Sequence, residues 1–318
     1  MARVSLAYVA IIITTILWAS SLIFAKLIFA ELGPIVFVAL RYTLATPFLF
    51  VLVFQRRKKQ TGGSLRANWK ILLVTGLSGP FISQVLQYIG LELTNASDAL
   101  LLLNLTPIFA VVLAAPLLDE RITLDKIIGL IVATLGATLI VMNASPDLAT
   151  ISIERVLGNI IVVVSTLFFA INGIAGKIAV KSTNTVSTTF YSTLFSVPFI
   201  WVTAALFDDV TVLFTMSIQA WAVVLWVAVV NTVIAFMLYY ESMKYIESSR
   251  VQIILNLIGV WGVIMSILVL NEIVTLLQIL GGLLTIIGVV VAQITQVRRK
   301  PDKTPIFPDA PERDELSE

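Results

Sequence analysis

Residues 15–26 read TILWASSLIFAK and residues 166–177 read TLFFAINGIAGK. Thr15, Ala19 and Lys26 return as Thr166, Ala170 and Lys177 at a shift of 151, and Pro47 returns as Pro198 at the same shift. Further along, Asn104, Glu120, Gly129 and Gly136 return as Asn256, Glu272, Gly281 and Gly288 at a shift of 152. One residue of slip over half a chain, with Asn, Glu, Gly and Pro all matched, marks an internal duplication. Residues 1–145 form the first copy and 146–299 the second; the remainder, 300–318, is rich in Pro, Asp and Glu and is expected to be a disordered tail.

The duplicated material is apolar. Of 318 residues, 58% are hydrophobic and 13% charged, with a mean hydropathy of +1.00. Soluble domains carry about 25% charge, so this chain has far more apolar surface than a water-soluble fold can bury. A soluble enzyme and a nucleic-acid binder are excluded as main readings. The chain has no Cys and no His, hence no disulfide, thiol nucleophile, imidazole base or Cys/His zinc site. No G-x-x-x-x-G-K-[ST] motif occurs, so no P-loop hydrolyses ATP here. No cofactor is implied, and no enzymatic activity.

A bilayer core takes roughly 20 apolar residues per helix. Ten such runs are predicted: Leu6–Phe29, Pro34–Phe54, Ile71–Leu91, Ala99–Leu118, Leu124–Met142, Val156–Ala175, Val186–Phe207, Ile218–Tyr240, Val251–Leu270 and Val274–Val297. The first follows Met1-Ala2-Arg3, yet it outruns a signal-peptide apolar region and has a repeat partner, so it is read as retained. Five spans per copy is an odd number, so the second copy must lie inverted relative to the first. The expected fold is all-α and integral to the membrane: ten transmembrane helices in a 5+5 inverted-topology repeat. Such repeats mark secondary transporters with a midplane site between the halves.

Lys and Arg set the orientation. Alternate connections hold Arg56, Arg57, Lys58, Lys59, Arg66 and Lys70, then Arg121 and Lys126, Lys177 and Lys181, Lys244 and Arg250, and Arg298–Lys300. The opposite connections hold only Arg155, with Lys26 nearby, against Glu31, Glu92, Asp147, Asp208, Asp209 and Glu272. Both termini are therefore expected in the cytoplasm, and the chain in a cytoplasmic (inner) membrane.

The sequence resembles the EamA branch of the drug/metabolite transporter superfamily. The carrying residues are Trp18-Ala19-Ser20-Ser21, Gly33-Pro34, Arg41-Tyr42, Pro107 and the junction Leu118-Asp119-Glu120-Arg121-Ile122-Thr123. The second copy departs from the pattern, with Gly259 at the equivalent of Pro107 and Asn271-Glu272-Ile273 in place of Asp-Glu-Arg. The resemblance spans about residues 5–297. It implies ten helices and export or exchange of small metabolites, often amino acids.

Ionisable side chains inside spans are costly and default to function. Arg41 lies seven residues into its span, where it can bind an anionic group of a solute or pair with Glu92 or Asp98 in an outer gate. Lys26 and Lys177 read as lysines snorkelling at helix ends, and Glu241 and Glu247, flanking Lys244, as surface charges. Uncharged polar residues offer a cavity lining. Gln84 and Tyr88 share a helical face beside Gln87, and Asn104 and Asn256 are repeat partners. Asn172, Asn231, Ser20 and Ser21 add hydrogen-bonding capacity, and Trp18, Tyr239 and Trp261 could wall the space. Each amide could instead be interhelical glue. Gly129, Gly136, Gly281, Gly282 and Gly288 fit close helix packing within the chain or a homodimer face, leaving monomer or homodimer open. No Asp or Glu lies at a helix midpoint, which argues against a proton antiporter built on such a carboxylate. The partners expected are a small-molecule solute and the lipid bilayer, with no nucleic acid. A multidrug or lipophilic-cation exporter is the alternative, and a channel or non-transporting scaffold a more distant one.

Overall fold

The computed structural model describes residues 2–56, 65–118, 124–142, 152–242, 245 and 254–298. The expectations for the tail, for 119–123, and for Lys244 and Glu247 lie outside the described residues, as does the side chain of Glu241. Among the described residues every regular element is helical. Lipid offers no partner to a backbone amide, so long apolar runs satisfy their peptide groups within the helix.

The order is α1 (Ala2–Ile28), α2 (Pro34–Arg56), α3 (Leu65–Gly76), α4 (Gln84–Leu93), α5 (Ala96–Leu102), α6 (Thr106–Leu118), α7 (Leu124–Met142), α8 (Ile153–Ser182), α9 (Thr185–Phe207), α10 (Ile218–Trp226), α11 (Ala235–Ser242), α12 (Leu257–Leu270) and α13 (Leu276–Arg298). Starts follow local chemistry. Pro34 stands first in α2, where no amide partner is needed. The side chains of Asn184 and Ser217 accept the Ser187 and Ala220 amides at the starts of α9 and α10.

Among the described residues, six helical stretches are long and apolar enough to cross a membrane: Val4–Ile28, Pro34–Gln55, Asn68–Leu93, Ile153–Val180, Thr185–Phe207 and Ile218–Tyr239. Ala96–Ala110, Leu257–Leu270 and Leu276–Val291 are shorter apolar helices. The burial pattern is that of a bundle in lipid. Leu6, Phe48, Phe54, Leu135, Phe207 and Leu283 face outward, whereas Thr14, Ser83, Asn159, Asn231 and Gln278 are fully buried. This chain is a multi-pass helical membrane protein.

The largest contacts join the two copies. α2 packs on α9, and α7 on α13, each helix on its own repeat partner. α1 packs on α11 and α12, while α8 packs on α4 and α6. A shift of 151 or 152 exchanges those two sets, since it carries α1 to α8, α4 to α11 and α6 to α12.

Two rods are interrupted at matching places. A π-helical stretch, Leu77–Ser83, joins α3 to α4, and a second, Val227–Ile234, joins α10 to α11. The shift of 151 maps 77–83 onto 228–234, inside the second stretch. Pro80 explains the first, because it has no amide for the preceding turn. The second has no proline and is braced from outside: Trp18 Nε1 donates to the Asn231 carbonyl at 3.1 Å, and Asn231 Nδ2 donates to the Leu17 carbonyl. Asn172 Nδ2 donates to the Thr75 carbonyl (2.7 Å) beside the first stretch. The same helix pairing, α1 with α10–α11 and α8 with α3–α4, is thus bridged in both copies.

The glycines form an intramolecular seam. A Cβ on Gly288 would stand 2.3 Å from the Ala133 amide nitrogen and 2.6 Å from the Gly129 carbonyl. One on Gly136 would stand 2.5 Å from the Gly281 carbonyl. The clashing atoms are backbone and cannot swing away, so Gly288→Val is expected to push α13 off α7. The expected cost is about 1–3 kcal/mol, read as lower resistance to denaturation in detergent; Ala133 substitutions that add no volume should leave it unchanged.

Candidate functional site

Arg41 projects from the second turn of α2, about 10 Å of helical rise from Pro34, and is 5% exposed. Its Nε donates to Thr232 Oγ1 at 2.9 Å. Its Nη1 donates to Gln84 Oε1 (3.0 Å) and Tyr88 OH (2.8 Å). Gln84 and Tyr88 meet Arg41 together because four residues of α4 separate them. Tyr88 OH also lies 2.8 Å from Ser21 Oγ, and Gln84 Nε2 donates to Gln87 Oε1 (2.8 Å). Thr232 sits in the second π stretch, where its hydroxyl donates to the Val227 carbonyl at 3.1 Å. The two are five residues apart, the spacing that π-helical winding brings onto one face.

The node therefore joins α1, α2 and α4 of the first copy to the π stretch of the second. Its walls are aromatic. The guanidinium carbon lies 5.4 Å from the Tyr42 ring centre and 5.8 Å from that of Tyr88. The Phe37 ring is 4.9 Å from Tyr88. Every acceptor offered to Arg41 is neutral. Among the described residues no carboxylate pairs with it, and none accepts from its Nη2. A buried cation without a counter-charge is held at a cost, and an anionic ligand is the species that relieves it.

The sequence-level gate of Arg41, Glu92 and Asp98 is not assembled. Asp98 is fully buried at the start of α5 and belongs to Arg155, whose Nε and Nη2 both lie 2.8 Å from its Oδ2. Asn159 Nδ2 donates to the same oxygen at 3.2 Å, and Gln278 Nε2 donates to Oδ1. Arg155 reaches Asp98 because α8 starts at the same end of the bundle as α5; Arg41 points deeper. Glu92 is a partner of neither. Lys26 does not snorkel but closes the end of α4, donating to the Leu91 and Thr94 carbonyls.

That end carries a pattern the charges alone do not reveal. Glu272 accepts the Ala96 and Ser97 amides (2.7 and 3.0 Å), capping α5. Asp208 Oδ2 accepts the Ile35 and Val36 amides (2.8 and 2.9 Å), capping α2, in space left by the missing side chain of Gly33. Glu31 accepts the Ser217 amide and hydroxyl, each at 3.1 Å. With Asp98–Arg155, these are four carboxylate contacts, and each crosses from one copy to the other. Asp209, next to Asp208, serves its own turn: the Thr211 hydroxyl and amide donate to it and hold its carboxyl below the usual range.

The remaining sequence candidates divide. Trp18 packs at a tilt against Tyr239 and Phe236, with ring centres 5.3 and 5.1 Å away, forming an aromatic wall, while its indole nitrogen braces Asn231. Asn231 also donates to Ser20 Oγ (3.2 Å), so it and Asn172 act as bridges between helices. Asn104, Asn256 and Trp261 lie apart from the Arg41 node, each with a buried N–H that no described residue accepts. Sequence reasoning passed over Thr232, Asn159 and Gln278. A polar residue within an apolar helix carries no signal of which distant helix it will meet.

Residues 5–142 and again 156–293 match the EamA-like transporter family, and the chain belongs to that family. It is 26% identical over 283 residues to an uncharacterized transporter of Archaeoglobus fulgidus, covering 87% of this chain and 93% of that one. It is likewise 26% identical over 270 residues to the uncharacterized transporter YyaM of Bacillus subtilis, covering 84% and 87%. A solved crystal structure superposes with a TM-score of 0.62 at 19% identity, over 91% of this chain and 96% of the other, and so shares the fold. The protein is a membrane transporter by family.

Proposed function

We propose that the protein is a secondary transporter with ten spans in a 5+5 inverted repeat, both termini cytoplasmic, which exports or exchanges small metabolites by alternating access. Amino acids and similar carboxylated solutes are the favoured cargo. The observation that carries this is Arg41: a buried guanidinium met only by neutral acceptors, at the junction of the two copies. A carboxylate would supply the missing charge and accept a charge-assisted hydrogen bond from Nη2. The exchange of neighbours under the repeat shift supports inversion. Rocking of one half against the other then requires the four carboxylate contacts at the outer end to part.

A lipophilic-cation exporter fits less well, because the node is cationic and holds no acidic side chain. The test is counterflow in proteoliposomes preloaded with unlabelled amino-acid and small-metabolite pools and given trace labelled members of each. Saturable accumulation that needs the internal compound is expected for carboxylated solutes. Unsaturable flux would indicate a pore, and accumulation confined to organic cations would indicate the alternative cargo.

A further inference from the structure

We propose that Asn104 and Asn256 form a second solute subsite, one that binds a hydrogen-bond-accepting oxygen of the cargo (carboxylate or carbonyl) and disfavours an aliphatic group. This rests on the carrier reading above and narrows its cargo to solutes with an acceptor beyond the carboxylate held by Arg41. Both asparagines stand at interruptions of their rods. Asn104 occupies the 3-10 stretch Leu103–Leu105 between α5 and α6, and Asn256 the turn before α12. They are repeat partners at the shift of 152, and they are 4% and 5% exposed. Neither Nδ2 has an acceptor among the described residues.

That absence separates them from interhelical glue. Asn172 and Asn231 lie in the same kind of surroundings and their amide nitrogens do find carbonyls. Leaving a buried N–H without an acceptor is costly, and here it happens at matched positions in both copies. The two share one crossing. Asn104 Nδ2 fills the place where a side chain on Gly259 would go, 2.4 Å from that Cβ position, and the Gly259 amide donates to the Asn256 carbonyl at 3.3 Å. Asn256 and Gly259 are three residues apart, on one face of the helix and about 4.5 Å apart in rise. Both NH2 groups thus belong to one helix crossing, where an oxygen of the cargo is the acceptor each lacks. Trp261 Nε1, on the same helix, is a third buried donor without an acceptor. All three are donors, so the group that completes them is an acceptor.

The test uses the full chain, with L-glutamate and L-norleucine as probes of similar length, and two readouts: counterflow, and solute-induced stabilisation in detergent. The wild type is expected to favour glutamate by about tenfold or more. Asn104→Leu and Asn256→Leu should each bring that preference near parity by weakening glutamate alone, and should raise the melting temperature of the solute-free protein. Asn104→Asp, which offers an acceptor instead of a donor, should do as much damage, and Gly259→Ala should mimic it by displacing the Asn104 amide. Unchanged preference in both leucine variants, as when water alone fills the site, overturns the proposal; so does retained preference in Asn104→Asp. Glutamate stabilisation that Asn104→Leu abolishes, without counterflow of any solute, upholds the subsite and sinks the carrier. Robust counterflow with glutamate and norleucine handled alike upholds the carrier and sinks the subsite. Neither binding nor counterflow overturns both.

Discussion

Asp98→Ala is expected to lower stability by about 3–5 kcal/mol, the usual cost of deleting one partner of a buried ion pair. Asp98 is fully buried and Arg155 17% exposed, so solvent does little to relieve the abandoned guanidinium. Asn159 and Gln278 lose their acceptor in the same stroke. The double variant Asp98→Leu with Arg155→Met removes both charges and should recover most of the loss. Thermal unfolding in detergent checks both figures. Thiol accessibility should report whether the Asp98 cluster also gates. The chain has no native cysteine, so Ser21→Cys provides a single thiol beside Tyr88. Labelling of that thiol from the side of the Asp98 cluster should accelerate when Asp98 is replaced by Asn. Equal labelling rates with and without the Asp98 carboxylate would mean the cluster holds the fold together but gates nothing.

Arg41→Ala is expected to lower kcat/KM for carboxylated solutes by roughly a hundredfold, about 2.7 kcal/mol of lost interaction. Solutes lacking the carboxylate should lose little. Arg41→Lys keeps the charge and loses the fork, and should fall between. The variants must be compared at matched folded fraction, because removing Arg41 also strips Gln84 Oε1 and Thr232 of a donor. Wild-type KM for a carboxylated solute in Arg41→Ala would end the assignment of Arg41 as its anchor.

Helices, repeat and apolar character can be read directly from the residues, because each is a local or periodic property. The shift linking Lys26 to Lys177 needs only the chain, and so does the Gln84–Tyr88 face that meets Arg41. Partner choice is another matter. Glu272, Asp208 and Glu31 read equally as acidic loop residues, and Asp98 as a gate partner of Arg41; the first three cap or close elements more than 170 positions away, and Asp98 finds Arg155 across 57. Thr232 is one hydroxyl in an apolar run. Pro80 hints at an interrupted rod, but the matching interruption at Val227–Ile234 carries no residue signature and depends on Trp18 and Asn231 bracing it.

The interleaving of the two copies also bears on how the protein is made. Arg41 leaves the ribosome 191 residues before Thr232, its acceptor. At about 5–20 residues per second, that is a wait of roughly 10–40 s. Through that interval α2 lacks α9 and α1 lacks α11 and α12, so the helices of the first copy have no finished surface to settle on. A nascent half-protein of this design therefore needs the insertion machinery to shelter its arginine until the second half arrives, and stalling near residue 145 should send the fragment to degradation.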